Sequence, residues 1–272
     1  MSNPDIDKRF SGSIPNLYDT YLVPLIFEPY AADLANRLAA RTLSSVLEIA
    51  AGTGVLTRAM ASLLPEQVSI TATDLNQAML DQASIVGTRR PVVWRQADAM
   101  QLPFAKAAFD AVVCQFGAMF FPDKSKAFSE ARRVLRPGGV FLFNVWDRIE
   151  DNEFADIVTT ALGSMFADDP PRFMARTPHG YYDSSIIARD IAAAGFTKSA
   201  DITTVTARSR ATSARIPAIA YCQGTPLRNE IEARDATRLD EATDIAEEAI
   251  ASRFGRTDVD GKIQAKIVTV ET

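Results

Sequence analysis

The chain has 272 residues, 47% of them apolar and 23% charged, enough for one large α/β domain with a substantial insertion. Its net charge of -5 offers no general attraction to a polyanion, which disfavours a nucleic-acid substrate. The only cysteines, Cys114 and Cys222, lie far apart without CxxC spacing, which argues against a disulfide scaffold or zinc site. No run approaches the roughly 20 apolar residues needed to span a bilayer, and MSNPDIDKRFSG has neither the basic start nor the apolar core of a secretory signal. These features predict a cytoplasmic protein with no membrane span.

In chain order, the segment from Tyr18 to Ala40 has apolar residues at helical spacing, interrupted by Pro24 and Pro29. Ser45–Ala50 is a short apolar run, followed by a glycine-rich turn and the helical pattern LTRAMASLL. Val68–Thr73, Val92–Arg95 and Asp110–Gln115 are the next predicted strands, with helices NQAMLDQAS and KSKAFSEARRVL among them. RPGG reads as a turn into a fifth strand, Val140–Val145. Strands alternating with helices imply a mainly parallel sheet with right-handed crossovers.

Beyond Trp146 the alternation loosens into a helical piece and the proline-rich loop DDPPRFMARTPHGYYD. Ser184–Ala194 reads as a helix closed by Gly195, and Thr197–Ala207 as a sixth strand. Arg208 to Gly255 reads as mostly helical, with Leu239, Ala242, Ala246, Ala249, Ile250 and Phe254 on one face. Lys262–Val270 alternates as a last strand. The expected organisation is an N-terminal helical cap over residues 1–40 and a sheet domain over 41–272. That domain carries helical lid insertions at about 149–183 and 208–255.

In an open α/β sheet, ligands bind outside the carboxyl ends of the strands. The first strand ends in Glu48-Ile-Ala50-Ala-Gly52-Thr53-Gly54. Glycines there let the backbone approach a ligand, and the next helix presents free N–H groups. Asp74, twenty residues after Gly54, ends the second strand, where a carboxylate can accept both ribose hydroxyls or simply cap the next helix. A dinucleotide site normally carries a third glycine, and this loop has Val55-Leu56-Thr57 instead. Glu48 would repel a pyrophosphate but suits a ligand with an ammonium and a sulfonium.

On these residues the chain resembles the class I S-adenosylmethionine-dependent methyltransferases, in particular the small-molecule group that includes the ubiquinone/menaquinone-biosynthesis enzymes. The resemblance runs from about Ser45 to Val145 through VLEIAAGTG, TDLNQAML, QADAMQLPF, FDAVVCQFGAMFF and EARRVLRPGGVFLF. Each segment alone is weak, but the ordered set is specific. The resemblance implies a Rossmann-like fold with seven mostly parallel strands, helices on both faces and a helical cap. It implies S-adenosylmethionine as cofactor, S-adenosylhomocysteine as product and a small-molecule acceptor. Glu48, Ala50, Gly52, Thr53 and Gly54 would bind the cofactor, with Asp74 on the ribose and Leu75, Met79, Asp98 and Ala99 beside the adenine. Gln115 and Phe116 would sit near the methionine, and Tyr18, in a segment that folds over the cofactor in similar enzymes, would touch it. One departure is Ala50, where the family usually has glycine; alanine is tolerable there if its φ is negative.

Phe120, Trp146 and Tyr181 are candidate acceptor contacts. His179, the single histidine, is a candidate general base, set against the blander reading of an ordinary loop residue. No metal triad is visible. The aromatic and methionine content of 149–183 leans toward an apolar or aromatic acceptor. Two alternatives are a non-catalytic S-adenosylmethionine- or partner-binding module and a nicotinamide-dependent oxidoreductase.

Overall fold

The computed structural model describes residue 10 and residues 12–272. Seven strands form one sheet: β1 Ser45–Glu48, β2 Ser69–Asp74, β3 Val93–Gln96, β4 Phe109–Gln115, β5 Leu135–Trp146, β6 Asp201–Ser213 and β7 Thr257–Glu271. Their order is β3-β2-β1-β4-β5-β7-β6. The first five are parallel; β1, β4 and the second half of β5 are apolar and buried on both faces, whereas the edge strand β3 is largely exposed. Val46, Leu47, Ala111, Val112, Val113, Phe141 and Phe143 form the sheet's share of the core. The Thr272 amide donates to the Gly139 carbonyl, and the Asp147 amide to that of Gln264, so β7 runs antiparallel to β5. Cross-strand bonds from Thr206 to Gln264 and from Arg208 to Asp260 set β6 antiparallel to β7.

The order reverses between β1 and β4, which places the crevice for a ligand at their carboxyl ends. Two expectations change. RPGG is not a turn before β5 but a bulge within it: Leu135 lies opposite Phe109, and pairing resumes with Val140 opposite Ala111. The stretch after Ala207 is strand rather than helix up to Ser213, lying beside β7 in the ribbon, where Arg208 and Arg210 both pair with Asp260. The N-terminal prolines do not break the helical path. Tyr18–Phe27 winds with widened turns, which relieves the clash that Pro24 would cause in a regular helix, and Glu28–Ala39 follows directly.

The chain divides into two compact units. The larger comprises Glu28–Val145, Tyr181–Val205 and Ala265–Thr272, and holds most of the sheet. The smaller comprises the described residues up to Phe27, Trp146–Gly180 and Thr206–Gln264. Its core is helical: Phe154, Val158 and Leu162 of Glu153–Met165, Ala218 and Tyr221 of Arg215–Gln223, and Ala242, Ala246 and Ile250 of Leu239–Phe254. The small alanines let those helices approach closely. Among the described residues, no helix is long and apolar enough to cross a membrane.

Candidate functional site

The loop after β1 is built from left-handed residues: Ala50 at φ 53°, Gly52 at 56° and Gly54 at 82°. Glycine adopts that conformation freely, whereas alanine is strained there. The negative φ that would make Ala50 an easy exchange is therefore not the one it has. Gly54 has a further reason to be glycine, since a Cβ on it would lie 2.7 Å from the ring of Trp94 on β3. The close approach is thus to another strand, whereas Gly52 has only the Met79 methyl nearby, at 3.6 Å from such a Cβ.

Asp74 ties this loop to the end of β2. One carboxylate oxygen accepts from the Gly52 amide at 2.8 Å, and the other from the Asn76 amide at 2.8 Å. Burial raises its pKa despite these bonds. The bond to Asn76 forms a turn before the helix Gln77–Val86 rather than a cap within it. The Asn76 side-chain amide also approaches the second oxygen, at 3.5 Å, and part of the carboxylate's accepting capacity stays open. Asp98 organises the loop after β3 in the same way, accepting from the Met100 amide at 2.8 Å. Ala99 and Met79 are buried, while Leu75 is about half exposed.

Glu48, at the end of β1, is buried and takes a hydrogen bond from the Thr57 hydroxyl on its Oε2. Its Oε1 has no partner. Burial pushes its pKa up to about 8 against the pull of Thr57 and Arg58. Other buried polar atoms of the larger unit are similarly unpaired: the Thr53 hydroxyl, both amide atoms of Gln115 and Nδ2 of Asn144. The register puts Glu48 opposite Val113, and Gln115, two residues on, opposite Asn144. Side chains alternate along a strand, so Glu48, Gln115 and Asn144 belong to one face of the sheet. Leaving such atoms buried and unpaired costs about 1–3 kcal/mol each. Their concentration around the ends of β1, β4 and β5 fits a polar ligand with both donors and acceptors, as the amino-acid end of S-adenosylmethionine has.

Phe116 follows Gln115 with φ at 49° and stands edge-on to Tyr30, 5.3 Å between ring centroids. Its amide donates to Asn144 Oδ1 at 2.8 Å. Phe120 ends a short turn after β4 and is half-buried. Tyr181 donates its hydroxyl to Asp190 at 3.0 Å and lies under Lys124, 4.7 Å from the ring. That hydroxyl, with its pKa raised mainly by burial, is a fixed donor rather than an acid or base.

The remaining candidates, Tyr18, Trp146 and His179, belong to the smaller unit. Tyr18 stacks on Phe27 at 5.1 Å, Phe27 meets Trp146 at 5.9 Å, and Trp146 meets His179 at 6.0 Å. The His179 ring hydrogen-bonds through Nδ1 to the Asp147 carbonyl at 2.8 Å. A carbonyl only accepts, so the proton is on Nδ1. Burial lowers the His179 pKa to about 4. Among the described residues, no group of three or more His, Cys, Asp or Glu is placed to hold a metal ion.

Asn144, Thr57, Gly117 and Trp94 escaped the reading of the sequence. For Asn144 there was one signal, a lone polar residue within the apolar run VFLFNVW.

Comparison with known proteins gives the family and the fold. Residues 47–143 match the family described as "Methyltransferase domain". The chain is 30% identical over 169 residues to a ubiquinone/menaquinone biosynthesis C-methyltransferase of Marinomonas sp., covering 57% of this chain and 67% of the relative. It is 29% identical over 169 residues to the enzyme of that name from Saccharophagus degradans, covering 57% and 68%. Among solved structures, the Haemonchus contortus phosphoethanolamine N-methyltransferase 2 bound to S-adenosyl-L-methionine superposes with a TM-score of 0.59. That match is at 17% identity and covers 99% of this chain and 60% of that one, and it speaks to the fold.

Proposed function

Since this chain belongs to the class I S-adenosylmethionine-dependent methyltransferases, we propose that it methylates a small apolar or aromatic acceptor. The observation that carries the assignment of the cofactor end is the set of buried, unpaired polar atoms on Glu48, Thr53 and Gln115. Glu48, when ionised, would receive the ammonium through its unpaired Oε1. Asp74 accepts the ribose hydroxyls, and Met79, Ala99 and the loop at Asp98 border the adenine. Gln115 and Phe116 orient the methionine end.

When bound, S-adenosylmethionine would supply an electrophilic methyl group, and S-adenosylhomocysteine would be the leaving product. The protein's part is orientation and exclusion of water, which account for roughly 7–11 kcal/mol of barrier lowering in well-aligned reactions. Proton transfer is most effective when the base has a pKa near the working pH. A histidine held near 4 is far from that, so His179 serves to wall the aromatic group with Tyr18, Phe27 and Trp146. An acceptor that is already nucleophilic, or that loses its proton to solvent, fits this arrangement.

Two facts support the acceptor class. The segment 149–183 is rich in aromatic and methionine side chains, and the relatives in the comparison are named for C-methylation in quinone biosynthesis. The test is S-adenosylhomocysteine release from a panel of phenolic and quinol acceptors, set against hydrophilic amines and amino acids. Turnover with the aromatic acceptors supports the proposal. Turnover confined to the hydrophilic ones would overturn the acceptor class and leave the cofactor reading standing.

A further inference from the structure

We propose that Asn144 is a cofactor-binding residue that donates from Nδ2 to the carboxylate of the cofactor's amino-acid end. This rests on the cofactor reading above. Asn144 is fully buried, and the orientation of its amide is decided by its surroundings: the Phe116 amide can only donate, so the atom that it meets at 2.8 Å is the oxygen. The other end of the amide is then an NH2 group, and it has no partner. A buried asparagine with one end locked and the other unpaired is costly unless something docks there.

The neighbours define what that is. Gln115, directly opposite on β4, has both amide atoms unpaired, and Glu48, on the same face, has Oε1 unpaired. The acid accepts from an ammonium, whereas the Asn144 NH2 group requires an acceptor. A ligand end with an ammonium and a carboxylate on one carbon supplies both. The Oδ1 bond has a second effect, since it holds Phe116 at φ 49° and so sets the direction in which the Gln115–Phe116 backbone leaves β4.

The test compares two ligands with Asn144→Asp. Aspartate keeps an oxygen for the Phe116 amide but replaces the NH2 donor with an acceptor. S-adenosylhomocysteine carries the amino-acid end, and 5′-methylthioadenosine lacks it. We expect the Kd of S-adenosylhomocysteine to rise at least tenfold while that of methylthioadenosine stays within twofold, an effect of the size seen for hydrogen bonds to charged groups. Retained methylthioadenosine binding also reports that the variant is folded. If it is not, Asn144→Ser, smaller and neutral, is expected to show the same selective loss. Equal losses for both ligands would make Asn144 a purely structural residue, and no loss would remove it from the site. Failure of the wild-type chain to bind either ligand would sink the cofactor reading itself, a different outcome from both.

Discussion

The methyl group of Ala50 occupies the space that a side chain on Gly117 would need: a Cβ built on Gly117 overlaps the Ala50 Cβ and lies 2.8 Å from Cys114 Sγ. The loop after β1 and the turn after β4 are thus fitted to one another at a single carbon atom. Gly117→Ala is expected to destabilise the protein by about 1–3 kcal/mol, the range for overpacking. In an Ala50→Gly background the cost should shrink, because one of the two clashes is gone. A double-mutant cycle by denaturant unfolding reads the coupling, and strict additivity would show that the two do not meet.

Ala50→Gly alone relieves the left-handed strain, worth roughly 1–2 kcal/mol, but frees the unfolded chain by about 0.4–1 kcal/mol. The expected outcome is a small gain in stability with cofactor affinity unchanged. A loss of more than about 1 kcal/mol would mean that the methyl contact with Gly117 outweighs the strain.

Glu48 links pH to both stability and binding. In the folded chain its pKa is about 8, against 4.5 ordinarily, so between those values the folded state holds a proton that the unfolded state has released. Stability from this group is complete below the ordinary value and is lost as pH rises through about 8. Glu48→Gln should flatten that decline in thermal melts taken from pH 5 to 9. It should also weaken S-adenosylmethionine binding at pH 8. In the wild-type protein, binding a cation ionises Glu48, so affinity rises from pH 6 to 8 with release of a proton. Calorimetry in buffers of different ionisation heat measures that release, and zero protons at pH 6.5 would contradict it.

His179 acts in the opposite direction. Its pKa is lowered from 6.5 to about 4, so between these values only the unfolded state is protonated there. Its contribution is present above 6.5 and lost as pH falls toward 4. His179→Asn keeps a donor for the Asp147 carbonyl and removes the titration. The melting temperature of the variant should therefore depend less on pH between 4.5 and 6.5 than that of the wild type, and parallel curves would reject the claim.

Asp74→Ala should weaken S-adenosylhomocysteine and methylthioadenosine alike, by at least tenfold, because both carry the ribose. Equal affinity of variant and wild type in calorimetry would take Asp74 out of the site. The variant also loses the bonds from the amides of Gly52 and Asn76, so a fall in melting temperature is expected with it.

The parallel half of the fold was legible because apolar runs such as β1 and β4 recur between helices with clear periods. The same holds for Glu48 and Asp74, which stand at fixed distances from a glycine-rich turn and so announce themselves in one dimension. The β6–β7 ribbon was not fully legible. The strand at Arg208–Ser213 lies beside β7, about fifty residues away, and no local pattern reports such a pairing.

What the sequence by itself pointed to is the ligand class, through an acid four residues before Gly52, the absence of a third glycine and the ordered segments that resemble the methyltransferase family. What only the tertiary structure decided is how that loop is held. Ala50 is left-handed, Gly54 is glycine because of Trp94, and Asn144 presents an unpaired donor opposite Gln115. Each of these depends on atoms brought together from different strands, and contact across strands is the one quantity that spacing along a chain does not encode.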